Sequence, residues 1–219
     1  MTQDNSKKSK IAMKDKLLNA SLPHVVNEGW NMKSFRLGAS DSGFKTVEVL
    51  RIFPGGCSDA AAHFSQFLDQ KMLNSLLHAD LSSMRVRDRI IICVKARIEA
   101  AAESPIAFRR LMSYLSLPGN TILATKLAWQ TCDEIWHAAG DKATDFNYYT
   151  KRALLFPVLT STTLYWFDDN SENYSETWAY LERRISDVLK IPSYSRNATK
   201  VFSKIKDYFG RVGSRCSLR

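Results

Sequence analysis

An all-α fold is what this sequence predicts, on three observations. Apolar residues recur at helical spacing through nearly the whole chain. Glycine and proline gather at a few points, Gly29, Gly43, Pro54-Gly55-Gly56, Pro118-Gly119 and Gly140, and these cut the chain into segments of helical length. The final segment is the most regular: Ala198, Val201, Phe202, Ile205, Tyr208, Phe209 and Val212 fall on one side, with Lys200, Ser203, Lys204, Lys206, Asp207 and Arg211 on the other.

Taken in order, the first helix fits residues 10–27, with Ile11, Leu17, Leu18, Leu22 and Val25 apolar and Pro23 a kink or break. Residues 32–42 and 45–53, joined at Gly43, have the size of a helix-turn-helix. As a DNA reader the second is poor, because FKTVEVLRIF offers Lys45, Thr46 and Arg51 against Glu48 and a mostly apolar remainder. Ser58 or Asp59 caps a helix running to about residue 81. Residues 84–102 follow, with Ile91, Val94 and Ile98 inward and Arg85, Arg87, Arg89, Lys95 and Arg97 outward. Pro105 opens a short helix to residue 115, and a central helix spans 120–139. After Gly140, in the left-handed role that ends a helix, Thr144 or Asp141 caps a helix to residue 167. That helix is apolar on every side beyond Arg152, so its second half belongs in the core, and Pro157 should kink it and open space. The last bundle helix, 175–189, sets Trp178, Leu181, Ile185 and Val188 in a narrow stripe that serves equally as core or as a dimer seam.

Composition excludes several classes. With 219 residues and 45% apolar content the chain can bury a core without help from disulfides. Cys57, Cys93, Cys132 and Cys216 form no C-x-x-C pair, which reads as reduced thiols rather than a disulfide frame or a zinc site. The N-terminal MTQDNSKKSKIAMKDK has no apolar signal core, and its aspartates argue against a transit peptide. No run is long enough to span a membrane. Of the net charge of +9, six units lie beyond Ser195, where seven basic residues face one acid. A basic tail on a nearly neutral body favours contact with an anionic surface through the tail alone, by membrane binding, unless the helix docks on its own body.

The stretch that draws attention is WQTCDEIWHAAGDKATDFNYYTKRA, residues 129–153. On a helical wheel Asp133 and Trp136 sit about 60° apart, an indole beside a carboxylate at the rim of an apolar face, either core edge or an interface anchor. Glu134 and His137 make an E-x-x-H pair, but His24, His63 and His78 have no acid three residues earlier, so a di-iron set cannot be assembled. Neither a glycine-rich phosphate loop nor a G-x-S-x-G or Cys-His signature occurs. No enzyme, catalytic residue, cofactor or metal is therefore expected.

TCDEIWHAAGDKATDFNYYTKRALL, followed by DDNSENYSETWAYLERRISDVLKI, resembles the ubiquinone-biosynthesis accessory family, the ninth Coq protein of mitochondria and its bacterial relatives. The pattern W-H-x-A-G-D-x-x-T-D-F-N-x-Y-T-x-R-A carries the resemblance, which is strongest over 118–191 and weakest over 10–60. It implies a TetR-like fold that pairs through its last two bundle helices, binds isoprenoid quinone intermediates or phospholipid, and assists the pathway's di-iron hydroxylase. The expected organisation is a disordered 1–9, a degenerate helix-turn-helix region 10–56, a lipid-binding bundle 57–191, and a linker with a membrane-binding amphipathic helix 192–219. Ile122, Trp129, Leu155, Phe156 and Leu159 are the expected lipid-binding residues. Asp133, Trp136 and His137 are expected to dock the partner, and Lys200, Val201, Phe202, Lys204, Ile205, Tyr208 and Phe209 the membrane. The expected location is cytoplasmic, peripheral on the inner membrane face, or on the matrix side in a mitochondrion. The alternative is a TetR-like DNA-binding regulator with a hydrophobic ligand.

Overall fold

The computed structural model describes residues 2–77, 79–142 and 146–190, and among these it contains nine α-helices and no strand. They are α1 (Thr2–Glu28), α2 (Met32–Asp41), α3 (Glu48–Ile52), α4 (Cys57–Leu76), α5 (Val86–Ala102), α6 (Pro105–Leu115), α7 (Thr121–Ala138), α8 (Phe146–Asp168) and α9 (Ser175–Lys190). The tail helix expected beyond Ser195, with all its membrane-binding candidates, lies outside the described residues, as do Thr144 and His78.

The helix starting at residue 10 in the sequence reading begins instead at Thr2, so the stretch expected to be disordered is helical in the described part, and Pro23 does not break it. Pro23 and Asn19, whose carbonyl loses its helical partner, are both exposed, so water can satisfy that carbonyl. Helix α2 crosses α1 closely because Gly38 has no side chain: a Cβ there would come within 2.6 Å of the Ser21 Cα. Its N-terminus is capped by Asn31, whose side chain accepts from the Lys33 and Ser34 amides at 2.9 and 3.2 Å.

The expected second helix of the helix-turn-helix, 45–53, shrinks to the five residues of α3. Pro54 pushes Phe53 out of helical geometry (φ −121°, ψ 82°), and Glu48 ties up the start by accepting from the Lys45 amide at 2.9 Å. Arg51 is held by Glu48 at 2.9 Å. Helix α4 has Gly56 (φ +60°) in the cap position rather than Ser58 or Asp59; Asp59 accepts from the Gly55 amide at 2.7 Å.

One core runs through the bundle. Helix α1 packs on α2, α4 lies between α5 and α7, and α8 joins α7 to α9. Stacked Trp30 and Phe64, 5.7 Å apart, link the N-terminal helices to α4, and Phe108 continues the aromatic chain to Trp166. The stripe on α9 is spent within the chain: Leu181 and Ile185 are buried in the core, with Trp178 and Val188 packed against it. Helix α8 corrects the expectation of burial on every side, since Pro157 and Leu164 face outward while Leu155, Val158, Leu159 and Trp166 are buried. It is an outer helix, covered by α7 and α9, and it runs unbroken through Pro157.

Candidate functional site: an apolar cavity and a charged corner

Helices α5, α6, α7 and α8, with Ser65 from α4, enclose a cavity of about 270 Å³. Its wall is mostly Ile98, Phe108, Leu111, Met112, Leu115, Leu127, Phe156 and Leu159, and the room exists because Ala101, Ala124 and Ala128 stand where larger side chains would fill it. The hydroxyls in the wall are largely consumed by their own helices. Thr125, Thr160 and Thr163 each donate at 2.9 Å to the carbonyl four residues back, and Ser116 does so at 2.8 Å. Ser116 and Thr125 are exposed, so the cavity meets the surface between the end of α6 and the start of α7.

The opposite end is polar and buried. Arg97 donates its Nε to Asp69 at 2.6 Å, and the Thr131 hydroxyl donates to the same carboxylate at 3.0 Å. Side-chain exposures of 7% and 6% for Arg97 and Asp69 mark this as an interior ion pair, with the guanidinium also 5.7 Å from the centre of the Phe108 ring. Arg97 had been assigned outward with the other basic residues of α5. The structure turns it inward because Asp69 sits on the apolar face of α4 and a buried carboxylate requires a partner. Next to this pair Cys132 is fully buried, and burial followed by the Asp69 charge pushes its thiol up to about 12. Burial, then the charges of Asp69 and Asp133, also raises Glu134.

A second cluster forms where α7 turns into α8. Gly140 has φ +86°, the left-handed conformation its place in the sequence suggested, and Arg89 donates to the Ala139 carbonyl at 3.2 Å, placing a cation at the negative end of α7. Arg152, buried, donates through Nε to Asp133 at 2.6 Å and through Nη1 to Asp141 at 3.3 Å, and its guanidinium carbon lies 3.4 Å from the Tyr148 ring centre. Tyr148 donates its hydroxyl to Asp133 at 2.9 Å, and that bond, followed by burial, raises the phenol. Lys151 bridges Asp141 at 2.6 Å and sits 5.3 Å from the Trp136 ring. Trp136 itself is half-buried against the core, with its indole nitrogen enclosed and without a hydrogen-bond partner among the described residues.

Of the lipid-binding candidates, Phe156 and Leu159 lie in the cavity wall. Ile122, Trp129 and Leu155 do not: Ile122 is 85% exposed on the first turn of α7, Trp129 is half-buried away from the cavity, and Leu155 is packed in the core. Ile122 stands at helical spacing with the apolar residues of α7, but its turn is the first of the helix and is left uncovered. Of the docking candidates, His137 is exposed, Asp133 is half-exposed but engaged by Arg152 and Tyr148, and Trp136 faces inward more than out. The residues missed were Arg97, Asp69, Arg152 and Tyr149. A lone Asp69 among Phe64, Leu68 and Met72 was the available signal for the first pair. Tyr149, 54% exposed and in ring contact with Tyr148, extends the Asp133 surface. Among the described residues no group of three or more His, Cys, Asp or Glu is placed to hold a metal ion.

The helical order and the cavity define an all-α protein of the TetR-regulator fold class. A TetR transcriptional regulator from Nitrosomonas europaea superposes with a TM-score of 0.63 at 18% identity, covering 81% of this chain and 98% of that one, which is a likeness of fold alone. The COQ9 family model matches residues 122–192, the span of α7, α8 and α9. "Ubiquinone biosynthesis protein COQ9, mitochondrial" of Drosophila melanogaster is 29% identical over 194 residues, 86% of this chain. The Homo sapiens protein of that name is 26% identical over 196 residues, again 86% of this chain. The chain is thus similar to COQ9 proteins, and it spans 59% and 61% of the length of those two. Their names give a biosynthetic pathway and no catalytic activity.

Proposed function

We propose that the chain is a non-catalytic, lipid-binding accessory protein of ubiquinone biosynthesis, which holds one end of an isoprenoid quinone intermediate and passes it to the pathway's di-iron hydroxylase. The observation that carries this reading is the cavity of about 270 Å³ with its hydrocarbon wall and self-satisfied hydroxyls. An apolar cavity near 150 Å³ accepts one benzene, so this one holds roughly ten non-hydrogen atoms, a ring or about two isoprene units. A long isoprenoid therefore leaves most of its length outside, which suits a protein that works against a bilayer. The names of the relatives supply the pathway.

In this reading the surface of Asp133 and His137, extended by Tyr149, docks the hydroxylase, and Arg152 fixes its shape from behind. The basic amphipathic segment beyond Ser195 attaches the protein to the inner membrane face; no described helix is long and apolar enough to cross a membrane. A homodimer through α8 and α9 would use their outer sides, since Leu181 and Ile185 are already occupied within the chain. DNA reading is disfavoured by the five-residue α3, whose Arg51 is held by Glu48. Solvent extraction of the purified chain tests the proposal: a neutral isoprenoid or a phospholipid is expected in the extract, and a protein free of lipid would count against it.

A further inference from the structure

The cavity is not uniformly apolar, and its one charged wall residue is incompletely used. Among the described residues Arg97 makes a single hydrogen bond, through Nε, although its side chain is only 7% exposed and lines the cavity. Its two terminal nitrogens carry four further N–H donors. Ser65, also in the wall and 5% exposed, makes no hydrogen bond among the described residues. The remaining wall hydroxyls are taken: Thr125, Thr160 and Thr163 by their own helices, and Thr131 by Asp69. These donors open onto the cavity rather than being sealed off, so a molecule that fills this end can bring acceptor oxygens to them.

We propose that Arg97, held in place by Asp69, reads the head of the ligand: the cavity takes a neutral molecule with a carbonyl-type acceptor at its inner end and an apolar body reaching the mouth at Ser116 and Thr125. This rests on the ligand-binding reading above and adds to it an orientation, head inward, and a head-group chemistry. The length fits. From Thr131 to Ala124 along α7 is seven residues, about 10 Å at the helical rise, enough for a ring and a short apolar stem. Charge decides between a neutral and an anionic head. Asp69 already neutralises Arg97, so a carboxylate would add a second buried negative charge beside the first, whereas a carbonyl accepts from the guanidinium without one. The Asp69 field is felt nearby, since it contributes to raising both Cys132 and Glu134.

The test uses the full chain and three small probes of one shape: prenylbenzoquinone, prenylbenzene and 4-prenylbenzoate, with affinities measured by calorimetry. A hydrogen bond to a charged donor is expected to favour the quinone over the hydrocarbon by roughly tenfold or more, and the benzoate should bind no better than the hydrocarbon. In Arg97→Met/Asp69→Leu the whole pair becomes apolar, an exchange that buried pairs tolerate, and Thr131 can turn to its own helix. That variant should bind the two neutral probes equally. Arg97→Lys keeps the charge pair but not the planar fork, and it should show a reduced preference. Equal binding of quinone and hydrocarbon by the unmodified chain, or an unchanged preference in both variants, overturns the head-group assignment while leaving the cavity as a ligand site. Binding of none of the three probes removes both.

Discussion

Arg152 reaches across the junction of α7 and α8 to Asp133, its Nε 2.6 Å from the carboxylate, and thereby locks the two helices that carry the most specific stretch of the sequence. The guanidinium is 4% exposed and Asp141 6%, so these charges are interior, while Asp133 at 43% is open to solvent and its bond is partly screened. Arg152→Ala takes the guanidinium away from the buried Asp141 carboxylate, which Lys151 also meets at 2.6 Å. A loss on the order of 3 kcal/mol of unfolding free energy is expected by urea denaturation. A loss below about 1 kcal/mol would mean that the cluster is ornamental to the fold.

Trp136 and Tyr149 separate core from docking surface. The sequence offers Trp136 as a docking residue, but the indole is packed against the core with its nitrogen enclosed. Its truncation should lower stability by roughly 3 kcal/mol. Tyr149 is 54% exposed, so Tyr149→Ala should leave the melting temperature nearly unchanged and weaken capture of the di-iron hydroxylase in a pull-down. Undiminished capture by the Tyr149 variant would move the docking face elsewhere.

Asp169 caps α9, accepting from the Ser171 and Thr177 amides at 2.8 and 2.9 Å. Burial works against its charge, but the hydrogen bonds from Ser171 and Thr177 outweigh burial and hold the carboxyl well below its ordinary value of 3.8. A depressed native value means that this contribution to stability is complete above the ordinary aspartate range and disappears as pH falls through the native value. Urea midpoints taken from about pH 5 to about pH 2 should fall less steeply for Asp169→Asn than for the unmodified chain. Parallel curves would show that the carboxylate is not coupled to folding.

The tail gives a prediction from sequence physics alone. At helical spacing Phe202, Ile205, Tyr208 and Phe209 would share a side, and each large apolar side chain removed from water contributes about 25 cal/mol per Å². Lys200, Lys204, Lys206 and Arg211 each add on the order of 1 kcal/mol at an anionic surface, a contribution that salt weakens. Deleting residues 196–219 should abolish flotation with anionic liposomes and leave the bundle folded. Flotation equal to that of the full chain would assign the segment to the protein body.

The course of the helices was largely legible because proline and glycine punctuate them: Pro105 opens α6 where expected and Gly140 closes α7. Short elements were less so, since five-residue α3 is limited by Pro54 and a Glu48 turn rather than by periodicity. At the candidate site the pattern named Phe156 and Leu159, which line the cavity, together with Ile122, which does not, because a wheel shows which residues share a face and not which turn lies beyond its neighbours. Arg97 was hidden for the same reason. In a run of arginines nothing local distinguishes the one whose carboxylate partner lies 28 residues earlier on another helix.

Whether the cavity holds a lipid is tested most directly by filling it. Ala128 lines the space, so Ala128→Phe should occupy it with a ring and leave the bundle folded, with any overpacking cost limited by the room available. Native mass spectrometry of both proteins after identical purification is the measurement. The account predicts a bound neutral lipid mass on the unmodified chain, and on Ala128→Phe a folded protein stripped of it. An unmodified chain that flies without added mass, or a filled variant that keeps the lipid, would contradict it.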